Sequence, residues 1–243
     1  MRLLAVLPLA LLASCGEAED AGKPAERGNA APAVGEKQAS ARALLVSLTE
    51  PRRQGRYAPR DECGAAPGAE EFRLRLADAV ARRDAAALVA LSDPHIRLDF
   101  GGGSGTAELR NRLAAPGWEL WSALENLLPL GCAVDPQGGI IMPWYFLQDF
   151  GERDPYSLLV VRGEGVPMLA APRKNAQVLA RLSWEAVELA ESTDDVSPYA
   201  KVSDYNGVDG YIAWDRLRSL IDYRLIAEKG EEGWKLTAFV AGD

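Results

Sequence analysis

The sequence predicts an α+β protein: an N-terminal helical region completed by a C-terminal β-hairpin, with a small β-rich module between them. Three observations carry this. Apolar residues recur at helical spacing between positions 70 and 128, and the texture turns to short alternating runs from Ile140 onward. The chain then closes on two alternating runs, residues 223–227 and 234–240, either side of a glycine turn.

The elements follow in order. Behind Arg2, residues 3–12 are apolar, too short to span a bilayer as a helix and suited to a secretory signal. Residues 16–40 are rich in Ala, Gly, Glu and Pro, with Val34 the only large aliphatic side chain. Such a stretch buries too little apolar surface to offset its ordering and reads as a flexible tether. Residues 41–48 (ARALLVSL) are expected as a short helix, followed by a polar loop to Asp61. Glu70 and Glu71 stand where a helix start favours negative charge, and Phe72, Leu76 and Val80 recur on one face. Asp84 is placed to cap a second helix, 85–91, which Asp93-Pro94 ends. Ile96, Leu98 and Phe100 alternate with Arg97 and Asp99 as a half-buried strand. Two more helices are expected at 106–113 and 118–128, the second with Leu120, Leu124, Leu127 and Leu128 inward and Trp121 at its edge.

The glycine cluster Gly101-Gly102-Gly103-Ser104-Gly105 invites a nucleotide-binding reading, which the neighbouring residues exclude. A phosphate-cradling Walker loop needs Lys after its last glycine, and here Thr106 and Ala107 follow. A dinucleotide fingerprint needs a third glycine where Thr106 stands, within a βαβ unit that the sequence lacks. The cluster is therefore expected to turn the strand sharply, with Ser104 or Thr106 capping the next helix.

Residues Leu12-Ala13-Ser14-Cys15 resemble the bacterial lipobox, in which the cysteine is acylated and becomes the mature N-terminus. The resemblance implies a lipoprotein anchored to the membrane through Cys15, since more than one acyl chain gives stable anchoring without a transmembrane helix. Gly16 after that cysteine implies the outer membrane, with the protein facing the periplasm. Loss of residues 1–14 removes Arg2 and takes the net charge from −8 to −9, which argues against nucleic acid as a partner. Cys63 and Cys132 then remain as an even pair in an oxidising compartment: either a disulfide or two separate thiols. With a single histidine, His95, the sequence offers no zinc spacing, and neither metal nor cofactor is expected.

Between the halves lies the run from Val160 to Ser219. Val178, Ala180 and Leu182 alternate; Tyr199-Ala200-Lys201-Val202 follows; Gly207, Gly210, Tyr211, Ile212 and Leu217 complete the pattern. This resembles a bacterial SH3 domain, with Tyr199 in place of the usual Trp, Trp184 near the usual glycine turn, and Pro172-Arg173-Lys174-Asn175 in place of a Ser-rich loop. The resemblance implies a small barrel over 156–219. The remaining 41–155 and 220–243 would form one discontinuous α+β domain. The ending "WKLTAF" and the upstream "ARRDAAALVAL" resemble nuclear-transport-factor-like rolls.

The SH3 resemblance implies a binding module for a peptidoglycan peptide or an envelope protein, without catalysis of its own. Trp184, Tyr199, Tyr205, Tyr211 and Trp214 are the exposed aromatic candidates; of these Tyr205, Tyr211 and Trp214 are the expected binding residues, with Asp215 and Asp209 able to hold a cationic group. Trp214 has the alternative of plugging the barrel end or packing on the helical domain. Two other functions stay open: a small-ligand pocket inside the α+β domain, and a cell-wall hydrolase using paired carboxylates.

Overall fold

The computed structural model describes residues 54–190 and 197–242. The expected signal, Cys15, the tether and the helix at 41–48 lie outside the described residues. Among the described residues, two sheets and four short α-helices make a mixed α+β structure dominated by strands. Both sheets belong to one compact unit.

The chain enters through β1 (Arg60–Asp61) and two helices, α1 (Ala69–Ala81) and α2 (Ala85–Ala90). Phe72, Leu76 and Val80 are buried as their spacing requires, and the Asp84 carboxylate accepts the Ala87 N–H at 2.9 Å as the cap of α2. β2 (Ser92–Arg97) follows, then α3 (Thr106–Ala114), α4 (Leu120–Leu127), β3 (Gly131–Val134) and β4 (Ile140–Met142). The terminal hairpin is β12 (Arg224–Gly230) and β13 (Gly233–Val240). It lies inside the six-stranded sheet, ordered β1-β3-β4-β12-β13-β2, with β12 antiparallel to β4 and β13 parallel to β2.

As expected, α2 ends ahead of Asp93-Pro94, which itself lies within β2. Proline lacks the N–H of a ladder, and β2 tolerates it as an edge strand whose pairing with β13 is interrupted by a register shift. Two local expectations are corrected. The strand ends at Arg97, so Phe100 does not share its buried face and is 48% exposed. Neither Ser104 nor Thr106 caps α3; Gly105, at φ 91°, occupies the cap position without a side-chain hydrogen bond.

The second sheet holds β5 (Leu158–Val161), β6 (Val166–Leu169), β7 (Val178–Leu182), β8 (Ala186–Leu189), β9 (Tyr199–Ser203), β10 (Asp209–Ala213) and β11 (Leu217–Ser219). Their order is β11-β5-β8-β9-β10-β6-β7, antiparallel throughout, and no pairing joins β11 to β7 among the described residues. The sheet nonetheless wraps its own core. Leu159, Val161, Val166, Met168, Val187, Ala200, Val202, Ile212 and Leu217 bury one another, and all belong to its strands.

Alternation along the strands then builds a layered structure. Ile140, Met142 and Leu225 face the helices, while Ile141 and Ile226 face the other way. In β5, Leu159 and Val161 face the core of the second sheet, whereas Leu158 and Val160 face the first. The outward sets meet in a shared core with Tyr57, Trp144, Tyr145, Phe150, Trp184, Ala186 and Leu220. Apolar burial on both faces explains why "SLLVV" and "GIIM" read as continuous hydrophobic runs. Among the described residues, no helix is long and apolar enough to cross a membrane.

Candidate functional site

Strand alternation decides which side chains of the second sheet are free to meet a ligand. Gly210 and Ile212 point inward and are buried, so Tyr211 and Ala213 take the outer face of β10. The register sets Tyr199 opposite Ala213 and Lys201 opposite Tyr211 on β9, with Leu169 of β6 opposite Tyr211. A groove of about 450 Å³ runs along this face. Its apolar lining is Val166, Pro167, Leu169, Tyr199 and Ala213, and its charged lining is Glu164, Lys174 and Arg216.

Of the residues expected to bind, Tyr211 lies on this outer face beside Leu169. Trp214 and Asp215 form a short turn at the end of β10 next to Ala213. Trp214 is 36% exposed and its backbone N–H donates to the Pro198 carbonyl at 3.1 Å, which anchors the turn beside the groove. Asp215 stands 3.9 Å from Arg216, both widely exposed. Tyr205 is elsewhere, in the turn between β9 and β10 at the far end of the strand, with the Arg153 guanidinium 3.9 Å over its ring. Asp209 accepts from the Ser203 hydroxyl. None of Tyr205, Tyr211, Trp214 and Asp215 lines the groove; Trp214 and Asp215 fall in the chain between its Ala213 and Arg216, Tyr211 lies farther along β10, and Tyr205 lies beyond the strand's other end.

Tyr199, one of the exposed aromatic candidates, is a groove wall, whereas Trp184, another, is 7% exposed and belongs to the core, because the glycine-like turn it occupies faces the first sheet. The sequence reading missed Lys174 as the charged neighbour, although it sits in the loop that departs from the SH3 pattern.

A second recess, of about 440 Å³, borders the glycine loop and is lined by His95, Arg97, Asp99, Phe100, Gly102, Gly103 and Ser104. The loop is held by Arg112, a 6% exposed residue of α3, which bonds Asp99, Glu108 at 2.7 Å and the Leu98 carbonyl at 3.2 Å. Trp118 covers the guanidinium at 4.1 Å. The Arg112 hydrogen bond, joined by the N–H of Gly103, holds the Asp99 carboxyl below its ordinary value. Leu98 N–H to Gly103 and Gly105 N–H to Ile96 then close a structural turn. A side chain at Gly103 would collide with Arg112 and Asp99.

A third recess, about 400 Å³ beside Trp234, is bordered by Lys229 and Lys235. Their ammonium groups already donate to the carbonyls of Pro67 and Ala90 at 3.1 and 3.0 Å.

The interior between helices and the first sheet is filled by side chains, among them Leu76, Leu109, Leu124, Leu127, Leu236 and Phe239. Cys63 and Cys132 are joined there, with Cα atoms 5.7 Å apart and both fully buried. His95 is exposed, and its neighbour Asp93 accepts its backbone N–H at 2.7 Å. Among the described residues, no group of three or more His, Cys, Asp or Glu is placed to hold a metal ion. Comparison of the chain with protein-family models, curated proteins and solved structures finds no match.

Proposed function

We propose that this protein is a non-catalytic cell-envelope lipoprotein, anchored through Cys15, whose SH3-like module binds a peptide of the cell wall or of an envelope protein. The observation that carries the reading is the outer-face groove, where Tyr199, Pro167, Leu169 and Ala213 form an apolar floor beside the exposed Trp214. Rigid rings and a small-residue floor suit an extended peptide, because they bury area at low entropic cost. The strands wrap their own core as a small barrel would, and the order β3-β4-β12-β13-β2 behind the helices suits a roll carrying that module as an insertion.

Two features support binding over catalysis. The described cysteines are tied to each other rather than paired with His95, and Asp99, the carboxylate of the glycine-loop recess, is committed to Arg112. The pocket alternative draws less support, since the roll interior is occupied by leucines and Phe239.

Co-sedimentation of the purified protein with cell-wall sacculi tests this reading. Retention without release of soluble wall fragments is expected, and Tyr199→Ala is expected to reduce it. Release of fragments would assign an enzyme instead.

A further inference from the structure

We infer that the outer face of the seven-stranded sheet docks an extended acidic segment of a partner protein, with Lys174 and Arg216 as the counter-charges. This rests on the reading of the module as a peptide binder and names its ligand chemistry.

The charge at the groove opposes that of the chain. The protein as a whole carries −8, yet Lys174 and Arg216 line the groove, and Arg181 reaches it from β7 by donating to the Gly165 carbonyl at 3.0 Å. Farther along the same face Lys201 stands opposite Tyr211, where Asp209 of β10 and Glu188 of β8 share the outer phase and offset it. Two carboxylates stand beside the groove itself. Glu164 accepts the Gln54 N–H at 3.0 Å, and Asp215 lies 3.9 Å from Arg216 with side chains 77% and 59% exposed. So open a pair is too well solvated to neutralise its guanidinium. Lys174 makes no ion pair among the described residues, and its side chain is exposed.

The apolar surface selects between two kinds of acidic peptide. Ala180 and Leu182 of β7 pack on the inner core, so Leu179 takes the outer phase with Arg181 and remains 42% exposed. The floor formed by Pro167, Leu169, Tyr199 and Ala213 therefore extends toward an exposed leucine on the sheet's edge strand. A wall stem peptide carries carboxylates but mostly methyl-sized side chains, and would leave this leucine uncovered. A protein segment with larger apolar residues between its acids satisfies both the floor and the cations. Charge complementarity of this kind sets partner choice and association rate more than raw affinity.

The test uses fluorescence anisotropy on the purified protein with three labelled peptides: Ac-ELDLEL, its neutral counterpart Ac-QLNLQL, and Ac-KLKLKL. A soluble wall stem peptide is the fourth probe. The acidic peptide is expected to bind at least about tenfold tighter than the other two labelled peptides, and to weaken with added salt. The double variant Lys174→Glu, Arg216→Glu is expected to lose that preference and to favour the lysine peptide. If the double reversal shifts the melting temperature, the pair Lys174→Gln, Arg216→Gln carries the comparison. Equal binding of acidic and neutral peptides, no binding of the acidic peptide, or an unchanged preference in the variants overturns the inference. Binding of the stem peptide alone overturns it too, and leaves the peptide-binding reading standing; binding of none of the four removes both.

Discussion

The backbone N–H of Tyr57 donates to the carbonyl of Trp184 at 2.9 Å, and this contact joins the entering chain to the module 127 residues later. Trp184 holds φ at 48°, a left-handed conformation that favours glycine, and glycine is the residue the SH3 pattern leads one to expect nearby. The indole is 7% exposed and fills the core shared by both sheets. Gly55 makes the approach possible: at φ 114°, any side chain there would collide with the Ser183 carbonyl. The strained tryptophan thus fixes the module against the first sheet.

Substitution at Trp184 separates these effects. Trp184→Gly relieves roughly 1 kcal/mol of backbone strain but forfeits about 3–5 kcal/mol of buried aromatic, so net destabilisation is expected. Trp184→Ala keeps the strain and loses the ring. Chemical denaturation is expected to rank stability as Trp, then Gly, then Ala; alanine at or above glycine would show that the backbone conformation costs nothing.

Reduction of the Cys63–Cys132 bridge removes a constraint between positions 69 residues apart. The chain-entropy model assigns such a loop about 4 kcal/mol, before native strain. Cys63→Ser with Cys132→Ser is expected to lower stability by that order. Intact-mass analysis after alkylation, with and without reductant, is expected to show both thiols protected only in the oxidised protein.

Acid is expected to loosen the glycine loop through Asp99. Its carboxyl is depressed in the folded state by the Arg112 hydrogen bond, so it contributes stability above its ordinary value of 3.8 and loses it as pH falls through the lowered one. Asp99→Asn is expected to reduce stability at neutral pH and to flatten the acid limb of the stability profile. A variant whose acid limb matches the parent's would assign that limb to other carboxylates.

Much of the layered core was legible before the structure. Phe72, Leu76 and Val80 announced α1, Asp84 announced the cap of α2, and the alternation of Leu225 and Ala227 with Trp234 and Leu236 announced the terminal hairpin. What misled was local: Phe100 continues an alternation that Asp99 and Arg112 cut short. The groove was hardest to read, because its walls come from Val166, Lys174, Tyr199, Ala213 and Arg216, and only strand order brings these together. Tyr205 and Tyr211 are near in sequence, but Tyr205 lies in the turn before β10 and Tyr211 on that strand's outer phase.

Membrane attachment has a separate test, outside the described residues. Cys15→Ser is expected to leave an unprocessed or mislocalised precursor, seen by fractionation and mass analysis. Ordinary cleavage to a soluble product would remove the lipoprotein assignment.

The central claim is that a peptide occupies the outer face of the second sheet. Backbone amide chemical shifts of the isotope-labelled protein, followed during titration with the acidic peptide and with the wall stem peptide, test it most directly. Perturbations clustered at Val166, Leu169, Lys174, Tyr199 and Ala213 are the predicted result. Shifts confined to the glycine loop around Asp99 and Gly103, to the recess beside Trp234, or absent with both peptides would contradict it.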